Sequence, residues 1–222
     1  CFKTYDIRGE IGINIDENIA YRIGRAVAQH LSAKTVIIGF DARETSPIFA
    51  AAVSKGVRDA GSTVLKIGLA GTEEMYWAVT EFNACAGIEV TASHNPINYN
   101  GMKIVKSGSQ PLNDANDFQA IKALASSEDW KEVFQIGKEL NRAAEARIAY
   151  VTRVLRFIDV SALKPLKIVV NSGNGAAGPT LDAIAERLNA IKAPLELIRI
   201  NHKPDASFPN GIPNPLLVEN RP

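Results

Sequence analysis

The sequence predicts an α/β protein, with sheets carrying helices on their faces and the chain folded as two consecutive units. Three observations predict it. Short β-branched runs alternate with stretches of helical period along most of the chain. Hydrophobic residues make up 46% of the 222, enough for an ordinary core and too many for disorder. The polar, weakly patterned segment from Ser126 to Asn141 breaks the alternation, and the boundary is placed there, giving units 1–138 and 139–222.

Each element follows from its local pattern. A helix is predicted from about Asn18 to Leu31, with Ile19, Ile23, Ala26 and Val27 on one side. Thr35–Phe40 reads as a buried strand. Thr45-Ser46-Pro47 starts the next helix, because proline is tolerated in a first turn, and Gly61 ends it. Thr63–Gly68 is a strand, Thr72–Glu81 a helix and Gly87–Thr91 a strand. A polar loop follows, then a short strand around Met102–Val105. A helix beginning near Asp114 closes the unit. Asp114 and Asp117 lack the glycine and distal glutamate of a calcium loop, so they are read as helix caps.

The second unit opens with a helix over about Arg142–Ile158. Lys167–Val170 is a strand, Asn171–Gly178 a glycine-rich turn, Pro179–Ile191 a helix and Leu195–Ile200 a strand. After Asn201 the chain is rich in Pro, Asn and Gly and loses its period.

Composition excludes several functions. With 25 basic and 24 acidic residues the net charge is +1, so no broad field draws the chain to nucleic acid or to an anionic membrane. Neither is expected as a partner, and any bound anion must be captured locally. Cys1 and Cys85 are too few and too far apart for a disulfide framework or zinc knuckle, which favours a reducing compartment. With no membrane-length apolar run and no cleavable signal, the expected location is the cytoplasm. The chain starts at Cys1 and stops at Arg221-Pro222 after a Pro-rich stretch, so both ends are expected to be cuts in a longer protein.

The most informative stretch is Thr91-Ala92-Ser93-His94-Asn95-Pro96, followed by Asn98, Asn100, Gly101 and Lys103. It gathers a hydroxyl, an imidazole, amides and an ammonium at the end of a strand. A hydroxyl that carries a phosphoryl group needs donors or cations for the charged oxygens and a neighbour to manage a proton. An ordinary polar loop, with Ser93 and Asn95 satisfying backbone groups, is the plainer reading of the same residues. Acyl transfer with His94 as base is disfavoured. The Gly-x-Ser-x-Gly elbow is absent, and side chains of sequence neighbours tend to diverge.

Here the sequence resembles a known family. Thr91–Pro96 resembles the active-site motif of the α-D-phosphohexomutases, the bacterial phosphomannomutase/phosphoglucomutase family. Tyr5-Asp6-Ile7-Arg8-Gly9 resembles its N-terminal signature, Gly39-Phe40-Asp41-Ala42-Arg43 its first-strand motif, and Asn100-Gly101-Met102-Lys103 the Asn-Gly-x-Lys after the serine loop. The resemblance spans essentially the whole chain. It implies mixed sheets with helices on both faces in two related units, the second incomplete.

The resemblance also implies a chemistry. Ser93 would carry a phosphoryl group, give it to a hexose phosphate and recover the other one from the bisphosphate intermediate. His94 and Lys103 would serve proton transfer and charge stabilisation. Arg8 would lie near the phosphoserine, and Tyr5 on the substrate side. Magnesium would sit on the Ser93 phosphate, with its remaining carboxylate ligands on an Asp-Gly-Asp-x-Asp-Arg loop that this sequence does not contain. The chain alone is therefore expected to be inactive or nearly so. Overall similarity points to mannose 6-phosphate and mannose 1-phosphate as the interconverted pair, feeding GDP-mannose synthesis, with phosphoglucomutase as the alternative. Oligomeric state is not legible.

Physical chemistry agrees with these roles. Phosphoryl transfer asks mainly for positioning and charge compensation. A guanidinium can hold two phosphate oxygens at once, and an ammonium is a compact charge. Asp41 and Arg43 are read instead as a salt bridge that holds a loop. Ser93 is expected at the edge of a cleft between the units.

A rival lies in the second unit. Gly173-Asn174-Gly175-Ala176-Ala177-Gly178 satisfies the dinucleotide fingerprint, and Glu196 lies near the ~20-residue spacing of its ribose contact. Glu196 sits inside a strand pattern, however, so the turn is read as structural. A pure binding module is the third class. His30 and His202 join no ligand set, and Met75, Tyr76 and Trp77 read as helix surface and core.

Overall fold

The computed structural model describes residues 1–3, 6–211, 214 and 218. The first unit comprises β1 (Ile7–Glu10), α1 (Glu17–His30), β2 (Thr35–Phe40), α2 (Ser46–Asp59), β3 (Thr63–Leu69), α3 (Thr72–Glu81), β4 (Ala86–Val90), β5 (Tyr99–Lys106), β6 (Gln110–Pro111) and α4 (Gln119–Ser127). Then come β7 (Glu139–Asn141), α5 (Ala143–Leu155), β8 (Leu166–Asn171), α6 (Ala177–Ala190) and β9 (Leu195–Ile200). The fold is α/β, as expected.

Local chemistry explains the helices. The Asp16 side chain accepts the Ile19 N–H at 2.7 Å and caps α1, whose Ala20, Ile23, Gly24 and Val27 form one buried stripe. Pro47 lies in the first turn of α2.

The large sheet has seven strands, ordered β1-β5-β4-β2-β3-β7, with β6 beside β5. β4, β2, β3 and β7 run parallel, and β5 runs against both its neighbours, so the sheet is mixed. Alternation along β2 divides the core. Val36 and Ile38 face α1, α2 and α4, whereas Ile37 faces α3 and α5. Helices thus cover both faces.

In the second unit, β8 and β9 pair in parallel from Leu166↔Leu195 to Asn171↔Ile200. α6 makes the crossover, while Leu166, Ile168 and Val169 stay exposed on the strand surface. The units meet where Thr180 on α6 donates to the buried Glu74 carboxylate of α3. Arg147 on α5 lies 3.7 Å from the same carboxylate and also donates to the Leu69 carbonyl. Burial pushes the Glu74 carboxyl above its ordinary range.

The structure differs from the sequence reading in four places. β1 was not foreseen; its pairing with β5 in the register Ile7↔Met102 to Glu10↔Tyr99 creates it. β5 is longer than expected, because both its neighbours satisfy it. The helix expected near Asp114 begins instead as a π-helical turn over Asp114–Phe118, with α4 proper starting at Gln119. β7 joins β3 through Val64↔Glu139, Leu65↔Leu140 and Lys66↔Asn141, so the first sheet takes in residues on both sides of position 138. No helix among the described residues is long and apolar enough to cross a membrane.

The turn before α4 is fixed by charge. The Asp117 carboxylate meets Lys106 Nζ at 2.8 Å and His30 Nε2 at 3.1 Å, and accepts the Asn113 N–H at 2.9 Å. These contacts, the Lys106 bond foremost, hold its carboxyl far below the usual carboxylate range. A depressed folded-state value stabilises the fold above the unfolded value and is lost as pH falls. Asp117→Asn is therefore expected to cost about 1–3 kcal/mol at pH 7. Wild type and variant should converge in denaturant melts as the pH drops below about 4.

Candidate active site

The loop between β4 and β5 leaves the carboxyl end of the parallel strands, the edge where open α/β sheets bind ligands. Ser93 stands in this loop with φ +52°, a left-handed conformation rare for a residue with a β-carbon. Its N–H donates to Thr91 Oγ1 at 2.9 Å, and Asn95 Nδ2 donates to the Ala92 carbonyl at 2.9 Å. Ser93 and His94 are both exposed.

What keeps the loop in place is Arg43. Its side chain is 2% exposed, with Nε 3.5 Å from Asp41 Oδ2. Nη1 donates to the carbonyls of Pro96 at 2.8 Å and Tyr99 at 3.1 Å, and Nη2 to those of Ser93 at 3.0 Å and Asn95 at 2.6 Å. Asp41 in turn accepts from Ser46 Oγ at 2.6 Å, and Asn100 Nδ2 donates to Thr45 Oγ1 at 2.8 Å and to Ser46 Oγ at 3.0 Å. Burial lowers the pKa of Arg43, but a guanidinium stays charged throughout the ordinary pH range.

Two strands then bring cations to the serine. β5 returns antiparallel to β4 and delivers Lys103, and β1 delivers Arg8 opposite Gly101. Gly101 is required there, because a Cβ would lie 1.9 Å from the Ile7 carbonyl oxygen. Arg8 donates to the Thr91 carbonyl, and its Nε lies 3.3 Å from Asp6 Oδ2. Burial lowers its pKa, and Asp6 opposes that shift.

Arg8, Ser93, His94 and Lys103 all line one cleft of about 580 Å3. Tyr5 lies outside the described residues. Lys3, Asp6 and Tyr76 also line the cleft and were missed by the sequence reading, which placed Tyr76 among helix surface and core residues. On α3, Met75 faces the sheet with no exposure, and the next residue, a turn of about 100° onward, reaches the cleft flank. That phase was the available signal. Every described residue lining the cleft belongs to the first unit, whereas a position between the units was expected.

The Ser93 and His94 side chains do not diverge as argued above. Ser93 Oγ lies 3.4 Å from His94 Nδ1, because the left-handed turn swings both to one side. That distance is long for a hydroxyl hydrogen bond. Among the described residues no carboxylate orients His94, so an acyl-transfer triad is not formed. Nor do the described residues include a group of three or more His, Cys, Asp or Glu side chains able to hold a metal ion.

The glycine-rich turn is engaged with itself. The Gly173 N–H donates to Asn171 Oδ1 at 3.0 Å, Asn174 N–H to the Asn201 carbonyl at 2.7 Å, and Gly175 N–H to the Ser172 carbonyl at 3.1 Å. These amides are not available to a pyrophosphate. Glu196 lies within β9, 3.2 Å from Lys167 Nζ. Both observations oppose the dinucleotide reading.

Comparison with known proteins gives a consistent picture. The family model for phosphoglucomutase/phosphomannomutase alpha/beta/alpha domain I matches residues 1–132, and that for domain II matches residues 148–221. A phosphomannomutase of Salmonella montevideo is 50% identical over 221 residues, covering 100% of this chain and 48% of the relative. One of Escherichia coli strain K12 is 48% identical over 221 residues, again covering 100% of this chain and 48% of its own. The chain thus spans about half the length of these curated relatives. A crystal structure of a phosphoglucomutase/phosphomannomutase family protein from Burkholderia thailandensis superimposes with a TM-score of 0.83 at 30% identity, over 98% of this chain and 47% of that one.

Replacing Arg43 tests the loop's dependence on it. Arg43→Met is expected to cost about 2–4 kcal/mol, less than a fully buried pair because Asp41 keeps a fifth of its side chain in water. Amide hydrogen exchange should rise at residues 93–96 well before it rises in β2. Arg43→Lys should recover little, since an ammonium cannot span four carbonyls.

Proposed function

The chain belongs to the phosphoglucomutase/phosphomannomutase family, and from that premise we propose that it supplies the phosphoserine end of a phosphomannomutase. The observation that carries the reading is Ser93, held in a left-handed turn on an exposed loop, in a cleft shared with Lys3, Arg8, His94 and Lys103. Those side chains supply a local positive field in a chain whose net charge is only +1.

In the proposed cycle, the bond between Ser93 Oγ and phosphorus breaks as a hydroxyl of the hexose phosphate attacks the phosphoryl group. The hydroxyl proton passes to His94 and from there to the departing Ser93 Oγ, while Lys103 stays an ammonium that stabilises charge; the return transfer runs the same proton path in reverse. The hexose 1,6-bisphosphate then presents its other phosphoryl group, and Ser93 Oγ takes it up. Arg8 and Lys103 offset the charge on the equatorial oxygens. Tyr5 is assigned to the substrate side on the family resemblance alone. The substrate pair is mannose 6-phosphate and mannose 1-phosphate, and the product feeds GDP-mannose synthesis. The names of the most similar curated relatives support mannose over glucose. Division into units 1–138 and 139–222 belongs to the same reading, supported by family models that end at 132 and resume at 148.

Family resemblance calls for magnesium on the Ser93 phosphate. The described groups lining the cleft include three side-chain cations, an imidazole and one carboxylate, Asp6, which Arg8 already engages. They do not fit a divalent cation, and no step is routed through one.

Incubating the intact protein with a hexose 1,6-bisphosphate and magnesium, then mapping peptides by mass spectrometry, tests the carrier role. Phosphate is expected on Ser93, and Ser93→Ala should accept none while losing mutase turnover. Phosphate elsewhere, or full activity without the hydroxyl, would discard the reading. Assays with mannose and glucose phosphates in parallel decide the sugar.

A further inference from the structure

The cleft beside Ser93 has a second wall that the phosphoryl chemistry does not use. On β5, Lys103 and Val105 alternate onto one face of the sheet, and Pro111 of β6 lies opposite Val105 on that same face. Helix α3 covers this face. It sits close, because Gly87 of β4 has no side chain where a Cβ would lie 2.4 Å from Met75 Sδ. Met75 is fully buried. Tyr76, next along the helix, packs in part against the cluster that holds Val105 and lines the cleft with Ser93 and Lys103.

This wall is fixed in place. The Ser109 hydroxyl, in the turn between β5 and β6, donates to the Tyr76 carbonyl, and Thr80 Oγ1 lies 3.0 Å from Ser109 Oγ. One turn of α3 thus holds both Tyr76 and the segment that leads to Pro111 and Leu112, which line the same cleft. Trp77, the next residue, packs edge-on against Tyr150 at 5.6 Å and steadies the helix. The Tyr76 hydroxyl itself has no hydrogen-bond partner among the described residues. Burial above all pushes its pKa up from the ordinary tyrosine value, so it stays a phenol at neutral pH. The cleft therefore faces its cations with a rigid aromatic and aliphatic side that carries one unspent hydroxyl.

Resting on the reading of the cleft as a phosphoryl site, we propose that Tyr76 is its sugar-binding residue. Its ring, flanked by Pro111 and Leu112, takes the carbon–hydrogen face of the hexose, and its hydroxyl bonds a sugar hydroxyl at the ring's edge. A bare anion would need only the cations. A hexose is amphipathic, with an apolar face and a polar rim, and tyrosine matches it by joining an apolar body to a polar tip. The site must also accept the bisphosphate in two senses, with either phosphoryl group toward Ser93. A full set of directed donors fits one sense only. An aromatic face is indifferent to direction and holds the ring in both, while the cations hold whichever phosphoryl group lies at Ser93. Tyr76 orients the sugar and takes no part in the proton path.

Calorimetric binding of three phosphate esters to the intact protein tests this. Mannose 1-phosphate and mannose 6-phosphate carry the ring, and glycerol 1-phosphate carries the same charged group without it. Tyr76→Leu is expected to weaken both sugar phosphates by about tenfold, the size of one good aromatic contact, and glycerol 1-phosphate by less than about twofold. Tyr76→Phe, which keeps the ring, should stay within about threefold of wild type for all three. An equal loss for all three ligands, no loss for the sugar phosphates, or loss for only one of them would overturn the role and leave the phosphoryl site standing. Failure of every ester to bind wild type would overturn that site and this inference with it. Should Tyr76→Leu fail to fold, or glycerol 1-phosphate bind too weakly to compare, saturation-transfer NMR decides. Irradiating tyrosine ring protons must then mark the carbon-bound protons of mannose 1-phosphate in wild type. The marking must vanish in Tyr76→Phe grown with ring-deuterated phenylalanine, and its persistence there, or its absence from wild type, refutes the role.

Discussion

Four carbonyl oxygens of the β4–β5 segment converge on the Arg43 guanidinium, and the presentation of Ser93 depends on that convergence. The loop's own amides reach only part of this set, the Tyr99 N–H bonding the Pro96 carbonyl at 3.0 Å, so the remaining carbonyls need an outside donor. Ser93 also holds a left-handed conformation that costs about 1–3 kcal/mol and persists only where the surroundings over-determine it. A planar donor fork meets both needs at once, because its geometry is rigid and its charge does not titrate. The fork is itself held. Asp41 pairs with it, Ser46 donates to Asp41, and Asn100 reaches back from β5 to Ser46. The start of α2, the turn after β2 and both ends of the serine loop therefore form one closed network.

The same network explains how a chain of net charge +1 makes a strongly cationic cleft. Nothing global attracts the anion, so the cations must be gathered by topology. The reversal from β4 to β5 brings Lys103 back beside Ser93, and β1 adds Arg8 on the far side of β5. Close approach of β1 is possible because residue 101 has no side chain. An all-parallel sheet would send the chain away from the serine after β4 and return it only through a crossover. The antiparallel edge is the structural reason that Ser93 and Lys103 can lie near in sequence, while Arg8 arrives from the distant β1.

Much of this was legible. Strand β2 and helix α3 fall where branched runs and helical period put them, because their burial is two-sided or strongly one-sided, and β9 falls where its branched run puts it. β1 was not legible, since four residues with one large apolar side chain are too short to declare a period and the strand exists by pairing with β5. β7, three exposed residues long, has no pattern of its own and is held by Ser54 and Lys66 on Glu139. In the cleft, motif residues were readable and their neighbours were not: Lys3 and Asp6 enter by the fold of the N-terminal segment. Arg43 was read correctly as a loop holder, although the sequence could show only its Asp41 partner and not the four carbonyls.

Two polar loops that each follow a strand show what separates the proposed anion site from a look-alike. The second has the glycines of a dinucleotide fingerprint. Yet the amides of Gly173, Asn174 and Gly175 are taken by Asn171, Asn201 and Ser172, and Asn210 closes over it through Asn174 at 3.0 Å. The turn from 171 to 178 contains no lysine or arginine. The serine loop has fewer glycines, but its carbonyls are turned inward onto Arg43 while Arg8 and Lys103 border the cleft. Anion capture requires donors left over after the backbone has satisfied itself. By that measure the serine loop has cationic side chains to offer, whereas the glycine-rich one has none and has committed the amides of Gly173, Asn174 and Gly175 to folding.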